Sequence, residues 1–264
     1  MSEVYEWREA PVGDFAVIGD PVDHSMSPRM HEAAYAALGL EYRYSAIRVP
    51  MHEVSAALDR LAELGYRGVN VTVPDKAEAL KWANAPNDLA IRIGAANTLD
   101  FRDRSAINTD APGFLDTLTE FEFSGEATAL ILGAGGSARA LAVALSDANF
   151  IVSVWNRTAS RATEIASEFG LETVGVPHAG YDLVVNTTSA GLQKESLPID
   201  WSQAKPGSLA YDLVYAQTLF LSAAASNGMR TVDGRKLLVA QGARSLEWWL
   251  GMEAPRAAML RAIN

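Results

Sequence analysis

The chain has 264 residues, 49% of them hydrophobic, with no cysteine and a formal net charge of -10 at pH 7. That is enough apolar material for one large or two modest cores, and it leaves neither a disulfide framework nor a thiolate metal site. The acidic balance opposes non-specific attraction to nucleic acid or anionic lipid, and no apolar run approaches the ~20 residues of a membrane span. The opening "MSEVYEWREAPVGD" also lacks the basic and apolar regions of a signal peptide. A cytoplasmic location and a small-molecule partner are expected, with no nucleic acid, no membrane and no metal. An anionic ligand would need local basic groups to overcome the general repulsion.

Strands and helices alternate without an internal repeat, which predicts an α/β class with largely parallel sheets. "DFAVIGD" (14–20) reads as an apolar strand, and Ser27 followed by Pro28 predicts an N-cap and first helical residue for "PRMHEAAYAALGL". "YRYSAIRV" (42–49) is a second strand. "EVSAALDRLAELG" has helical periodicity ending at Gly65, and "GVNVTV" (68–73) is a third strand. The composition changes at "FEFSGEA" (121–127), after which "TALILGAGGSARALAVAL" begins a new strand, glycine turn and helix. The last stretch, "LLVAQGARSLEWWLGMEAPRAAMLRAI", is mostly helical and is expected to return to the first domain.

Gly133, Gly135 and Ala138 fit G-x-G-x-x-A directly after an apolar strand and before a helix. Such glycines allow a tight turn and close approach of a pyrophosphate to helix N-terminal amides; an ordinary strand-to-helix turn is the plain alternative. The next strand, "FIVSVWNRT", ends in Asn156, Arg157 and Thr158 where an NAD site usually places an acidic residue for the ribose. An arginine there can bind a 2'-phosphate bidentately, so NADP is favoured, with Arg161 as the other side of an anion clamp. Two solvated arginines at a helix start are the alternative.

In "GVNVTVPDK" (68–76), strand alternation turns Asn70 and Thr72 to one side and Val69, Val71 and Val73 to the other. Pro74 then stops the strand and holds Lys76 in the first turn of the next helix. A lysine is poorly placed there for the helix dipole, which points to a role beyond solvation. In "AINTDAPGF", Asp110 before Pro112 reads alone as an N-cap. Paired with Lys76 it would form an acid/base couple, the carboxylate orienting the amine while the amine exchanges a proton with a substrate oxygen.

Eight blocks in order, "GDPVDHSMSPRMH", "GVNVTVPDK", "GAANTL", "NTDAPGF", "LGAGGSARA", "NRT", "NTTSAGL" and "LLVAQGA", span nearly the whole chain and resemble the signature blocks of the shikimate dehydrogenase family. The resemblance implies an N-terminal α/β substrate and catalytic domain (1–110), a Rossmann-type NADP-binding domain (111–235) and C-terminal helices (236–264) packing on the first domain. It implies reversible NADPH-dependent reduction of 3-dehydroshikimate to shikimate on the route to aromatic amino acids, by a monomer or homodimer. Carried over residue by residue, Lys76 and Asp110 match the catalytic pair, and Ser25 and Ser27 match donors to the substrate carboxylate. Asn70, Thr72, Asn97 and Gln241 match the positions that bind ring hydroxyls, and Tyr215 matches a tyrosine that approaches the carboxylate. The cofactor set is Gly133, Ala134, Gly135, Gly136, Ser137, Ala138, Asn156, Arg157, Thr158, Arg161, Asn186, Thr187 and Gly234. His24 and His31 resemble helix-entry scaffold, and Trp248 and Trp249 helix packing.

Some positions depart from the family pattern. Asp75 replaces an aromatic, histidine or aliphatic residue beside Lys76, Ala111 replaces a glycine, and Leu192 replaces a methionine. "LVYAQTLFLSA" keeps Tyr215 but lacks the usual Asn-Pro and Thr-Pro elements. A quinate or aminoshikimate dehydrogenase and a non-catalytic NADP-responsive binding protein stay open as alternatives. The last would be expected to lose Lys76 or Asp110, and the two serines of "HSMSP" favour shikimate over quinate.

Overall fold

A computed structural model describes residues 3–73, 76–123 and 126–264. The chain begins β1 (Val4–Glu6), β2 (Phe15–Gly19), α1 (Ser27–Ala37), β3 (Tyr44–Arg48), α2 (Val54–Glu63), β4 (Gly68–Val71), α3 (Lys76–Trp82), β5 (Ala85–Pro86), α4 (Asp88–Ile93), β6 (Thr98–Asp100), β7 (Ser105–Ile107) and α5 (Asp110–Leu118). It continues β8 (Thr128–Leu132), α6 (Gly136–Asp147), β9 (Ile151–Trp155), α7 (Ala159–Phe169), β10 (Glu172–Thr173), β11 (Leu183–Asn186), α8 (Ala190–Gln193), β12 (Leu209–Asp212), α9 (Leu219–Ser226), β13 (Arg230–Val232), α10 (Arg235–Leu250) and α11 (Arg256–Ile263). Two compact units result, Met1–Gly113 with Leu238–Asn264, and Phe114–Leu237. The divisions fall after Gly113 and Leu237 rather than after residues 110 and 235, and both lie inside helices rather than in a linker. The composition change at 121–127 is the lead-in to β8, inside the second unit, with Ser124 and Gly125 outside the described residues.

Among the described residues the first sheet has seven strands in the order β1-β3-β2-β4-β6-β7-β5. Strands β1, β3, β2 and β4 pair in parallel, but β6 is antiparallel to both β4 and β7. With β5 parallel to β7, four of the six pairings are parallel, so the sheet is largely parallel as expected, with β6 as its one reversed strand among the described residues. Only four residues join β6 to β7, and a turn that short closes an antiparallel pair, whereas a parallel pair needs a crossover.

Strand β2 is buried throughout because both faces of its sheet are covered. Its alternation sends Ala16 and Ile18 towards Leu58 and Leu61 of α2 and Val69 and Val71 of β4. Phe15 and Val17 instead join Met30 and Tyr35 of α1 and, from the far end of the chain, Leu246, Trp249, Met259 and Ile263. The C-terminal helices therefore return to the first unit and, together with α1, cover one face of its sheet around β2 and β3.

Gly68 makes that covering possible: a Cβ there would stand 2.5 Å from the indole nitrogen of Trp249. The indole donates to the Leu99 carbonyl at 2.9 Å and stacks on Phe15, so Trp249 is packing, as its sequence context predicts. Two details differ. Strand β4 ends at Val71, so the alternation does not continue and Val73 is 58% exposed instead of sharing the packed face. Helix α1 starts at Ser27 itself with Met26 at the cap position; the Ser25 hydroxyl accepts from the Ser27 amide at 3.3 Å, so the upstream serine, not Ser27, serves the helix entry. Pro74 and Asp75, expected to end the strand and flank Lys76, lie outside the described residues.

The second unit is built on a six-stranded, wholly parallel sheet in the order β10-β9-β8-β11-β12-β13, again among the described residues. Numbered from β8, this is the doubly wound order 3-2-1-4-5-6, which reverses direction between β8 and β11.

His31 lies on α1 with its ring stacked on Tyr44, 4.3 Å between centroids and 2° from coplanar. It is fully buried, neither nitrogen has a partner among the described residues, and burial holds its pKa down to about 3. Between 6.5 and about 3 the unfolded chain takes up a proton that the folded chain refuses. His31 therefore costs no stability above pH 6.5 and lowers it progressively as pH falls towards 3. His31→Phe keeps a ring on Tyr44 without titrating. Urea unfolding at pH 7 and pH 4.5 should show the wild type losing roughly 2 kcal/mol more than the variant; equal losses would contradict the assignment.

Candidate active site

Lys76, the first residue of α3, reaches Asp110, the first residue of α5, with Nζ 2.6 Å from Oδ2. Both side chains are about a tenth exposed. Asp110 is free for this because it does not cap its own helix. Asn108 does: its Oδ1 accepts from the amides of Asp110 at 3.1 Å and Ala111 at 3.2 Å, while its Nδ2 donates to the Ala95 carbonyl. The N-cap reading of Asp110 is thus corrected, since a neighbouring side chain has taken that work.

The other carboxylate oxygen accepts from Asn97 Nδ2 at 3.0 Å, and that amide also lies 2.9 Å from Thr109 Oγ1 and 3.3 Å from Gln241 Oε1. Gln241 comes close because α5 has Gly113 against it; a Cβ there would meet Gln241 backbone at 2.9 Å. Asn70 is buried on the polar side of β4 and donates to the Asn97 carbonyl, Thr98 Oγ1 and Ser245 Oγ at 3.2, 3.0 and 2.9 Å. One network thus gathers Asn70, Lys76, Asn97, Asp110 and Gln241.

Ser25, Ser27 and Thr72 stand outside that network. Ser27 is buried and Ser25 half-buried at the entry to α1. Thr72 continues from β4 with its amide on the Ile18 carbonyl and its methyl against Gly19. All three follow the carboxyl ends of parallel strands, where ligands of such sheets bind. Tyr44, Thr98, Thr109 and Ser245 complete the network, and none was assigned a site role from sequence. Ser245 carried a usable signal: it lies four residues after Gln241 and so on the same face of α10.

In the second unit, Gly133 adopts φ +119°, and a Cβ on it would come within 2.3 Å of Thr187 Oγ1. Gly135 precedes α6 with nothing within 4 Å of its missing Cβ and no side chain capping the helix. Ala134, Gly136 and Ser137 are partly exposed around it, and Ala138 is buried against the sheet. An open glycine cradle leading into an uncapped helix fits a pyrophosphate. Asn156 donates to the Thr158 carbonyl, Thr158 precedes α7, and Arg157 and Arg161 are exposed there, Arg157 with Glu195 at 3.8 Å.

Asn186 and Thr187 are held by the scaffold. Asn186 donates to Asp212 and accepts from Thr188, and Thr187 donates to the Leu132 carbonyl at 2.8 Å. Asp212 also accepts from the Val214 amide and the Thr218 hydroxyl, and Thr218 caps α9. That carboxylate thus holds Val214 and Thr218, on either side of Tyr215. Burial pushes the Asp212 carboxyl up despite these bonds. Tyr215 is half-buried. Gly234 packs so closely that a Cβ would sit 2.0 Å from the Leu213 carbonyl. Ala111 is buried in α5, and Leu192 is exposed on α8.

A doubly wound sheet with an open glycine turn, in a chain that also buries a lysine–carboxylate pair, is the equipment of a nicotinamide-nucleotide-dependent oxidoreductase. Residues 17–99 match the shikimate dehydrogenase substrate binding domain, 117–189 the shikimate / quinate 5-dehydrogenase family, and 234–263 the shikimate 5'-dehydrogenase C-terminal domain. The chain belongs to the shikimate dehydrogenase family. A shikimate dehydrogenase (NADP(+)) of Moorella thermoacetica is 42% identical, covering 97% of this chain and 94% of the relative. One of Natronomonas pharaonis is 40% identical over 95% and 98%. The crystal structure of the Thermus thermophilus shikimate 5-dehydrogenase in complex with NADP(H) and shikimate has a TM-score of 0.87 at 38% identity, covering 95% of this chain and 98% of that one.

The division of labour at α5 has a measurable consequence. Asn108→Ala removes the cap and leaves the buried Ala95 carbonyl without its donor, so urea unfolding should show a loss of about 1–3 kcal/mol. Asp110→Ala, which leaves the cap in place, should not reproduce that loss through helix fraying, a distinction that amide exchange in the first turn of α5 can read.

Proposed function

We propose that this chain reduces 3-dehydroshikimate reversibly to shikimate with NADPH, and that the Lys76–Asp110 pair moves the proton. The observation that carries this reading is the 2.6 Å contact between two charged side chains sheltered from water, with Asn97 holding the second carboxylate oxygen.

Held along the turn from Gly133 to Ala138, NADPH would supply the hydride for the carbonyl carbon. As negative charge grows on the carbonyl oxygen, the Lys76 ammonium donates a proton to it; in the other direction the neutral amine takes the proton from the hydroxyl. Asp110 fixes where the ammonium points and keeps it near the carboxylate after transfer. Asn97 prevents the carboxylate from rotating away. Ser25 and Ser27 at the entry to α1 hold the substrate carboxylate by hydroxyl groups, while Asn70, Thr72, Asn97 and Gln241 take the ring hydroxyls and Tyr215 approaches the carboxylate. The cradle from Gly133 to Ala138 takes the pyrophosphate, supported by Asn186, Thr187 and Gly234. Asn156, Arg157, Thr158 and Arg161 take the 2'-phosphate, putting positive charge where an acidic protein otherwise has little.

Steady-state oxidation of shikimate and quinate, each with NADP and NAD, tests the reading. The shikimate and NADP pair should be preferred; preference for quinate, or no turnover, would overturn it. In the same assay Lys76→Ala should lower kcat by roughly 10² to 10⁴ while NADP still binds. Asp110→Asn should also lose turnover strongly, and the double variant should lose much less than the product of the two effects, because groups acting as a unit are not additive. Near-normal turnover of Lys76→Ala would remove the proton-transfer role.

Cofactor choice gives an independent check. Arg157→Ala should weaken NADP by roughly ten- to a hundredfold, the scale of a charged hydrogen bond, and leave NAD almost unchanged. Equal losses for both nucleotides would place Arg157 outside the phosphate site.

A further inference from the structure

Asn70 is 6% exposed, and its amide can be accounted for atom by atom. The Asn97 carbonyl, 3.2 Å away, can only accept, so the amide nitrogen must face it. The oxygen then faces Tyr44, whose hydroxyl donates to it at 2.7 Å. Tyr44 cannot shift easily, being buried with its ring flat against His31.

Ser245 closes the other end. Its hydroxyl donates to the Gln241 carbonyl one turn back on α10 at 3.0 Å, which leaves its lone pairs for Asn70 Nδ2 at 2.9 Å and the Thr98 hydroxyl at 2.8 Å. Thr98 Oγ1 offers the Asn70 nitrogen a further acceptor. Both amide protons are therefore committed to the protein, and the amide oxygen keeps one lone pair.

We propose that Ser245 is a positioning residue which, with Tyr44 at the opposite end, clamps the Asn70 amide so that it meets a ligand only as a hydrogen-bond acceptor. The group that Asn70 recognises must then be a donor, such as a hydroxyl, and not an ether or carbonyl oxygen. The device rests on the functional reading above for the identity of the ligand, but the clamp itself belongs to the protein alone. Without it, only the Asn97 carbonyl and Thr98 would hold the amide nitrogen, and the oxygen would be less firmly aimed.

Kinetics with shikimate and its single-deoxy analogues test the ligand side, and NMR of the Asn70 side-chain amide in the ligand-free protein tests the clamp. Ser245→Ala should raise KM for shikimate about three- to tenfold, the scale of one neutral hydrogen bond, with kcat within about twofold. The loss should disappear on the analogue lacking the hydroxyl that meets Asn70, and Ser245→Thr should recover part of it. The Asn70 amide protons should exchange slowly in the wild type and faster in Ser245→Ala. Equal KM increases on every analogue, or unchanged amide exchange, would overturn the proposal. Tyr44→Phe, which keeps the ring on His31, supplies the same comparison from the oxygen end if Ser245→Ala does not fold. A wild type that fails to oxidise shikimate would refute the functional reading, while the exchange measurement would still decide the clamp.

Discussion

Lys76 and Asp110 are withdrawn from water, and a charged pair so placed is supported by a fold only when its remaining hydrogen-bonding capacity is also met. That requirement organises the interior around it. Asn97 meets the spare oxygen of Asp110, Thr109 and Gln241 surround Asn97, and Asn70, Thr98 and Ser245 extend the chain of contacts across the sheet. Removing one member leaves its partners buried and unpaired, which costs more than the bond itself contributed. The polar side of β4 therefore belongs to the core as much as Val69 and Val71 on its other side do.

Backbone geometry decides which residues are available for that network. Asn108 satisfies the first amides of α5, so Asp110 can face Lys76. Gly113 lets α10 approach closely enough to bring Gln241 in, and Gly68 lets the Trp249 indole reach a strand carbonyl. In the second unit Asp212 plays a comparable part, joining the ends of β11 and β12 through Asn186 and fixing the start of α9 through Thr218.

What could be read from the sequence was local. The strand, glycine turn and helix at 128–145 carry their own punctuation, and "GVNVTVPDK" announces a lysine just after a polar strand face. The lead-in to β8 was visible in composition, although the units divide elsewhere. Short β1 and β5 have too few residues to show a period, and the antiparallel pairing of β6 with β7 depends on the turn between them. Asp110 against Asn108 could not be decided locally, because both residue types cap helices and only the distant Lys76 breaks the tie. Ser245 shows in the sequence only its place one turn after Gln241; the side chains it meets, on Thr109, Thr98 and Asn70, lie 136, 147 and 175 residues away.

The return of α10 and α11 also sets an order of events during synthesis. Phe15, Val17 and Tyr44 emerge early, yet Leu246, Trp249, Met259 and Ile263, which cover them, emerge only after the entire second unit has been made. Throughout that interval the part of this face that α1 leaves uncovered is an open apolar surface beside a growing chain. A ribosome-bound intermediate would therefore present a sticky half-built unit, and slow translation of residues 114–237 would lengthen its exposure to aggregation and to chaperones.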